Sequence, residues 1–309
     1  SDVCSSDLGS MWNNYLPNPH FVESFETATG EKFNWDNYLP GYSAMKEKER
    51  VVFFLRDGLS AAEKERMTAY GADMSKYLDS GNEARIKKAY ESRDPRLQMA
   101  IITPYAQYNG ASSGIAHTYT LRWPYRGSDS AEPFDIRTDT NDKFYYLWRK
   151  FVPEGLEQTE RDTYGLDIPL IRYAEVLLLK AEALNEWGST HESEAIRCVN
   201  EVRRRAGHVE LNNATYPATK VNGQSDLRER IRNEYYWEIG GEDSMYFHEL
   251  RWGTWKDKKF DNNRNGLMQM WGETTYTWYW LGDQCWSWPI PAKEMEMNSN
   301  LEQNEGWIN

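Results

Sequence analysis

The stretch that decides the fold reads Asp167-Ile-Pro-Leu-Ile-Arg-Tyr-Ala-Glu-Val-Leu-Leu-Leu-Lys-Ala-Glu-Ala-Leu-Asn-Glu-Trp-Gly188, followed closely by Glu194-Ala-Ile-Arg-Cys-Val-Asn-Glu-Val-Arg-Arg-Arg-Ala-Gly207. Leu170, Ile171, Ala174, Leu177, Leu178, Ala181 and Leu184 recur at the spacing that puts side chains on one face of a helix. Pro169 suits a first turn and Gly188 a left-handed stop, so the pattern predicts one buried helix. Ala195, Ile196, Val199, Val202 and Ala206 form a second stripe that ends at Gly207. The two make a helical hairpin. Small side chains at Ala181 and Ala195 let the backbones approach closely, and the order small, Gly188, small, apolar follows the tetratricopeptide pattern with a loop about two residues longer.

Four further stretches stand in order along the chain: Arg93-Asp-Pro-Arg-Leu97, Ile231-Arg-Asn-Glu234 leading to Arg251-Trp252, Trp288-Pro-Ile-Pro291, and Asn300-Leu-Glu-Gln-Asn304 with Trp307. Together with Pro169-Leu-Ile-Arg-Tyr-Ala-Glu-Val-Leu-Leu178, this wording closely resembles the SusD/RagB family of cell-surface glycan-capturing lipoproteins, from Pro17 to Asn309. The resemblance implies a mainly α fold of tetratricopeptide-like helical hairpins, an α/α superhelix with long irregular loops and few short strands. It also implies a protein lipid-anchored at the outer membrane in its full-length form. Such a protein captures oligosaccharide or polysaccharide and delivers it to a TonB-dependent SusC-like transporter, without catalysis. Peptide or glycopeptide capture on the same scaffold is the alternative, with a glycoside hydrolase or a plain protein-interaction scaffold behind it. One departure from the family pattern is Met245, near where an Arg is usual.

The first eight residues, Ser1-Asp-Val-Cys-Ser-Ser-Asp-Leu8, look like a translated sequencing adapter. Residues 1–10 are therefore expected to be a non-native leader, and 11–309 the C-terminal region of the family fold. Cys4 lacks the small and apolar residues that an acylation site needs before it.

A net charge of -12 argues against a nucleic-acid backbone as partner. The one basic cluster, Arg203-Arg204-Arg205, is expected to be a solvated helix end facing the helix dipole. No run approaches the length needed to span a bilayer. Aromatic content is the unusual quantity, with 14 Trp, 20 Tyr and 10 Phe in a chain of mean hydropathy -0.83. Some of these rings are expected in polar loops, where they are binding candidates.

Local signals fill in the rest. Phe21-Val-Glu-Ser-Phe-Glu26 before Gly30 is similar to a segment common at mid-chain in the family. Val51 to Leu55 reads as a short strand or extended segment. Ser60-Ala-Ala-Glu63 is a capping box opening a helix to about Tyr70, and Asn82 to Ser92 reads as another helix. Arg93-Asp94-Pro95-Arg96 breaks it with charged side chains that fix a turn beneath the helical layer. Asp226 with Glu229 can cap a helix carrying Ile231, Tyr235 and Ile239.

Sugars present apolar C–H faces edged with hydroxyls, so flat rings supply contact area while amides, carboxylates and guanidinium groups meet the hydroxyls. Two stretches have that composition. Thr103 to Gly165 is long, irregular and ring-rich, and within it Tyr108, Asn109, Trp123, Tyr125 and Arg126 are the first ligand candidates. Trp271 to Trp280 is the second, with Trp271 and, on one face of an extended segment, a ladder of Tyr276, Trp278 and Trp280. The alternative for any one ring is that it packs its loop onto the helices, and Trp286 and Trp288 read as scaffold of this kind. Asp261, Asn263 and Asn265 begin like a calcium loop, but its twelfth position is Gly272 and the acid arrives at Glu273. His248-Glu249 lacks the second His of a zinc helix, Cys4, Cys198 and Cys285 make no disulfide framework, and no phosphate cradle or nucleophile elbow is present. No cofactor is expected.

Overall fold

α-Helices dominate the computed structural model, which describes residues 16–112, 115–126, 132, 134–138, 143–155, 167, 169–242, 244–260 and 266–307. Among these residues the elements run α1 (Pro19–Ser24), α2 (Glu47–Arg50), α3 (Ala61–Tyr70), α4 (Asn82–Glu91), α5 (Pro95–Ala100), β1 (Ile101–Ile102), β2 (Gln107–Ser112), β3 (Ile115–Thr120) and β4 (Leu147–Trp148). They continue with α6 (Tyr173–Trp187), α7 (Glu192–Arg205), α8 (Gln224–Ile239), α9 (Ser244–Arg251), α10 (Trp255–Phe260), β5 (Leu267–Met268), β6 (Thr274–Tyr276) and α11 (Ala292–Met297). The chain divides into two compact units: a larger one of Ser1–Glu242 with Met268–Glu273, and a smaller one of Asp243–Leu267 with Thr274–Asn309. The expected leader and the calcium-like Asp261, Asn263 and Asn265 lie outside the described residues.

In the larger unit the hairpin forms from the stripes read above. Ala174, Leu177, Leu178, Ala181 and Leu184 of α6 are buried, as are Ala195, Ile196, Val199 and Val202 of α7, and Leu227, Ile231 and Tyr235 of α8 complete the layer. α7 stops as expected at Gly207, whose φ of +73° lets its N–H reach Arg204 O and that of His208 reach Arg203 O. Two expectations fail at the start of α6. Leu170 and Ile171 precede the helix and are exposed, and Pro169 is outside its first turn. The cause is Arg172, held extended at φ -110° and ψ 150° while its guanidinium pairs with Glu238 at 2.9 Å and Glu242 at 2.6 Å. Nor is the helix buried all round: Tyr173, Val176, Leu179 and Trp187 face outward.

The Arg-Asp-Pro-Arg turn anchors a buried ion network. Arg96 donates to Asp94 at 2.6 Å and to Glu234 at 2.7 Å, and Glu234 also accepts from Arg203 at 2.9 Å. Arg203 then reaches Glu26 at 2.6 Å, which lies 3.0 Å from Nε2 of His208. The expectation of a solvated arginine triplet is thus corrected: only Arg204 and Arg205 are exposed, while Arg203 is buried because it faces Glu234 and Glu26 across the layer. Burial works against the charge of Arg96, but Glu234 and Asp94 more than offset it.

Beside this layer an aromatic core gathers Trp35, Tyr42, Phe54, Tyr90 and Trp271. Val51 to Phe54 is a buried 3₁₀ turn, not a strand, with Asn82 Nδ2 donating to the carbonyls of Val52 and Leu55 at 2.9 and 2.7 Å. The capping box of α3 is present, with Glu63 N on Ser60 Oγ and Ser60 N on Glu63. β1 pairs antiparallel with β4, and β2 with β3 in the register Tyr108↔Tyr119.

Candidate functional site

The first-ranked stretch turns its rings inward. Tyr108 and Trp123 are buried, with Trp123 at 6.0 Å from Phe144 and 5.0 Å from Trp271, which is buried too. The expectation that Tyr108, Trp123 and Trp271 meet a ligand is therefore corrected. The stretch expected to be irregular holds the β2–β3 ladder, which carries Tyr108 and Tyr119, while Trp123 beyond it is held to the core by ring packing. The remaining members are engaged in structure. Arg126 clamps Asp135 with two hydrogen bonds of 2.6 Å, Asn109 accepts from Thr118 Oγ1 at 3.2 Å, and Tyr125 lies half-buried beneath Arg137.

A cleft of about 620 Å³ opens in the same unit, bordered by Tyr90, Arg93, Asp94, Gln98, Met99, Arg149 and Glu154. It offers no stacking platform. Its one ring, Tyr90, is buried; Arg93 is held by the carbonyls of Val22 and Phe25 beneath Phe33, and Arg149 by Glu154 at 2.7 Å.

The smaller unit builds the opposite arrangement. Trp280 sits half-buried in an edge-to-face cluster with Trp255 at 5.4 Å, Phe260 at 5.2 Å and Trp286 at 5.4 Å. Lys256 covers the Trp280 ring at 5.2 Å and pairs with Asp283 at 2.9 Å, and Asp283 also accepts from Trp280 Nε1 at 3.3 Å. The Lys256 hydrogen bond holds the Asp283 carboxyl below its ordinary value. Two motifs interlock beside the cluster. Gln303 bonds both the N–H and the carbonyl of Ile290, at 2.7 and 2.9 Å, and Asn304 donates to Trp288 O at 2.6 Å. Trp307 Nε1 closes the lock on Ser287 O at 2.8 Å.

On this base the rings are open to water: Tyr276 is 63%, Trp278 46%, Tyr279 76% and Trp288 73% exposed. Trp288 is steadied by its Nε1, which donates to Tyr246 Oη at 3.1 Å, while the Tyr246 ring lies 5.4 Å from Trp255. Gly266, at φ +94°, passes so close to Tyr276 that a Cβ would lie 1.8 Å from its carbonyl oxygen. Of the expected ladder, Tyr276 and Trp278 stand exposed, whereas Trp280 belongs to the supporting cluster. Tyr279 and Trp288 were not among the expected site residues. Tyr279 has the opposite parity to the 276, 278, 280 ladder, but β6 ends at Tyr276, so alternation does not govern its exposure; the proline motif gave Trp288 the reading of scaffold. Among the described residues no group of three or more His, Cys, Asp and Glu is placed to hold a metal, and no helix is long and apolar enough to cross a membrane.

Paired helices of tetratricopeptide type with a ring-bearing irregular unit define the class to which the known proteins similar to this chain belong. The profile of the SusD family matches residues 3–307, and the chain belongs to that family. It is 32% identical over 139 residues to SusD-like protein P38 of Formosa agariphila, covering 45% of this chain and 24% of that protein. It is 28% identical over 161 residues to the starch-binding protein SusD of Bacteroides thetaiotaomicron, covering 52% and 25%. The chain thus spans about a quarter of the length of these relatives. A SusD-like protein from Bacteroides fragilis superposes with a TM-score of 0.59 at 20% identity, over 99% of this chain and 51% of that one. A SusD-like carbohydrate binding protein from the same species does so at 0.50 and 22%, over 93% and 48%.

Proposed function

We propose that this chain captures oligosaccharide or polysaccharide reversibly on the exposed rings of its smaller unit and performs no chemistry on it. In the full-length protein, lipid-anchored at the outer face of the outer membrane, it delivers the glycan to a SusC-like TonB-dependent transporter. The observation that carries the reading is the set Tyr276, Trp278, Tyr279 and Trp288, open to water on a base of packed rings and locked main chain. Exposed rings of this size are costly to leave uncovered, and each stacked pyranose face returns about 1 to 3 kcal/mol when it covers one. Membership of the SusD family supports the same reading, as does the relative whose name is starch-binding. Titration of the chain against a panel of polysaccharides and of peptides tests it. Saturable binding of a polysaccharide, reduced in Trp278→Ala, is the expected result. Saturable binding of peptides alone, or turnover of any glycan, overturns it.

A further inference from the structure

Resting on that reading, we propose that the glycan segment held by these rings is uncharged, and that glycans bearing carboxylate or sulfate groups are refused. An anionic sugar laid on a ring must leave water beside a negative π face, and it needs an Arg or Lys at each anionic group to make up the loss. The ring segment supplies none. No Lys or Arg stands between Arg264 and Lys293, and the one charged side chain from Thr274 to Ala292 is the acidic Asp283.

The described cations on α9 and α10 beside the cluster are engaged elsewhere. Lys256, which touches the cluster, is committed to Asp283 and the Trp280 face. Arg251 donates to His248 at 3.0 Å and lies over Trp252, and Lys259 lies 3.9 Å from Glu249. The described residues of this unit hold seven acidic side chains against five basic ones, in a chain of net charge -12, so the longer-range field also repels anions. What accompanies the rings is hydroxyl and amide: Thr274, Thr275, Thr277 and Ser287 are exposed, and Gln284 sits among them in sequence. Those groups match sugar hydroxyls and carry no charge.

The test uses the whole chain in affinity gels and calorimetry against soluble starch, galactomannan and mixed-linkage β-glucan, and against polygalacturonate and carrageenan. Each is run at about 0.05 and about 0.5 M NaCl, where screening separates ion pairing from stacking. The expected result is binding to at least one neutral polymer that salt changes by less than about twofold. That binding falls about 5- to 100-fold in Trp278→Ala, is largely kept in Trp278→Phe, and has no Trp278-dependent counterpart with either anionic polymer. An anionic polymer bound as tightly as any neutral one, through Trp278 and weakened by salt, overturns the inference and leaves ring-mediated capture standing. If a chain with an intact helical circular dichroism spectrum binds none of the five, the proposed function itself falls and the inference with it.

Discussion

Trp123 and Trp278 are the same side chain in two irregular stretches, and their surroundings give them opposite work. Trp123 is core, between Phe144 and Trp271, so Trp123→Ala should cost about 3 to 5 kcal/mol in urea unfolding and leave the glycan affinity of the folded chain unchanged. Trp278→Ala should shift stability by no more than about 0.5 kcal/mol and weaken binding by about 1 to 3 kcal/mol in titration. Sequence spacing does not separate the two, because burial is written as a period only where a helix or strand repeats. Around Trp123 there is no period, and around Trp278 the strand has already ended at Tyr276. The same limit explains Arg203, whose burial depends on Glu26 and Glu234, 177 and 31 residues away. Removing Glu234 takes a carboxylate from two buried guanidinium groups at once, leaving Arg96 to Asp94 and Arg203 to Glu26, so Glu234→Ala should cost about 3 kcal/mol by chemical denaturation, whereas Arg204→Ala, at an exposed pair, should cost less than about 1.

At the scale of elements the periodic signal was strong where helices pack on one face. α3, α4, α7 and α8 were legible within a few residues, and the hairpin of α6 and α7 was legible from its small residues as well as its stripes. Ala181 and Ala195 are both fully buried, which makes the hairpin interface intolerant of added volume. Ala181→Leu should therefore cost about 1 to 3 kcal/mol in thermal or urea unfolding, while Leu179→Ala on the exposed side of the same helix should change little. What could not be read was the start of α6. Local propensity favours helix from Pro169, but Arg172 takes an extended backbone to reach Glu238 and Glu242, and that partnership is tertiary. Val51 to Phe54 misleads for a related reason: β-branched and aromatic residues in a run fit a buried 3₁₀ turn as well as a strand when every side is covered.

For the whole molecule, the ion network ties α5, α7, α8 and the chain near Glu26 into one layer through the carboxylates of Asp94, Glu234 and Glu26, and the pKa values of two of these, Glu26 and Asp94, are displaced by it. Burial raises the Glu26 carboxyl, but the hydrogen bond to His208 and the charge of Arg203 outweigh it and hold it below its ordinary value. Asp94 is likewise lowered, with burial overcome by the hydrogen bonds and charge of Arg96. A carboxyl whose value is lower in the folded chain than in the unfolded one contributes stability that is fully present above the unfolded value. That stability is lost as pH falls toward the folded value, because the unfolded chain takes up the proton first. The urea midpoint should therefore stay level from about pH 7 to about pH 5 and drop progressively below about pH 4. Exposed pairs such as Lys180 with Glu194 add little, so raising NaCl to about 0.5 M should leave the acid limb in place. In Asp94→Asn the limb should flatten at a lower plateau, since one of the carboxyls held below its ordinary value is gone while Arg96 has lost a partner. A wild-type midpoint that stays level down to pH 3 would show that these buried carboxylates carry no folding energy.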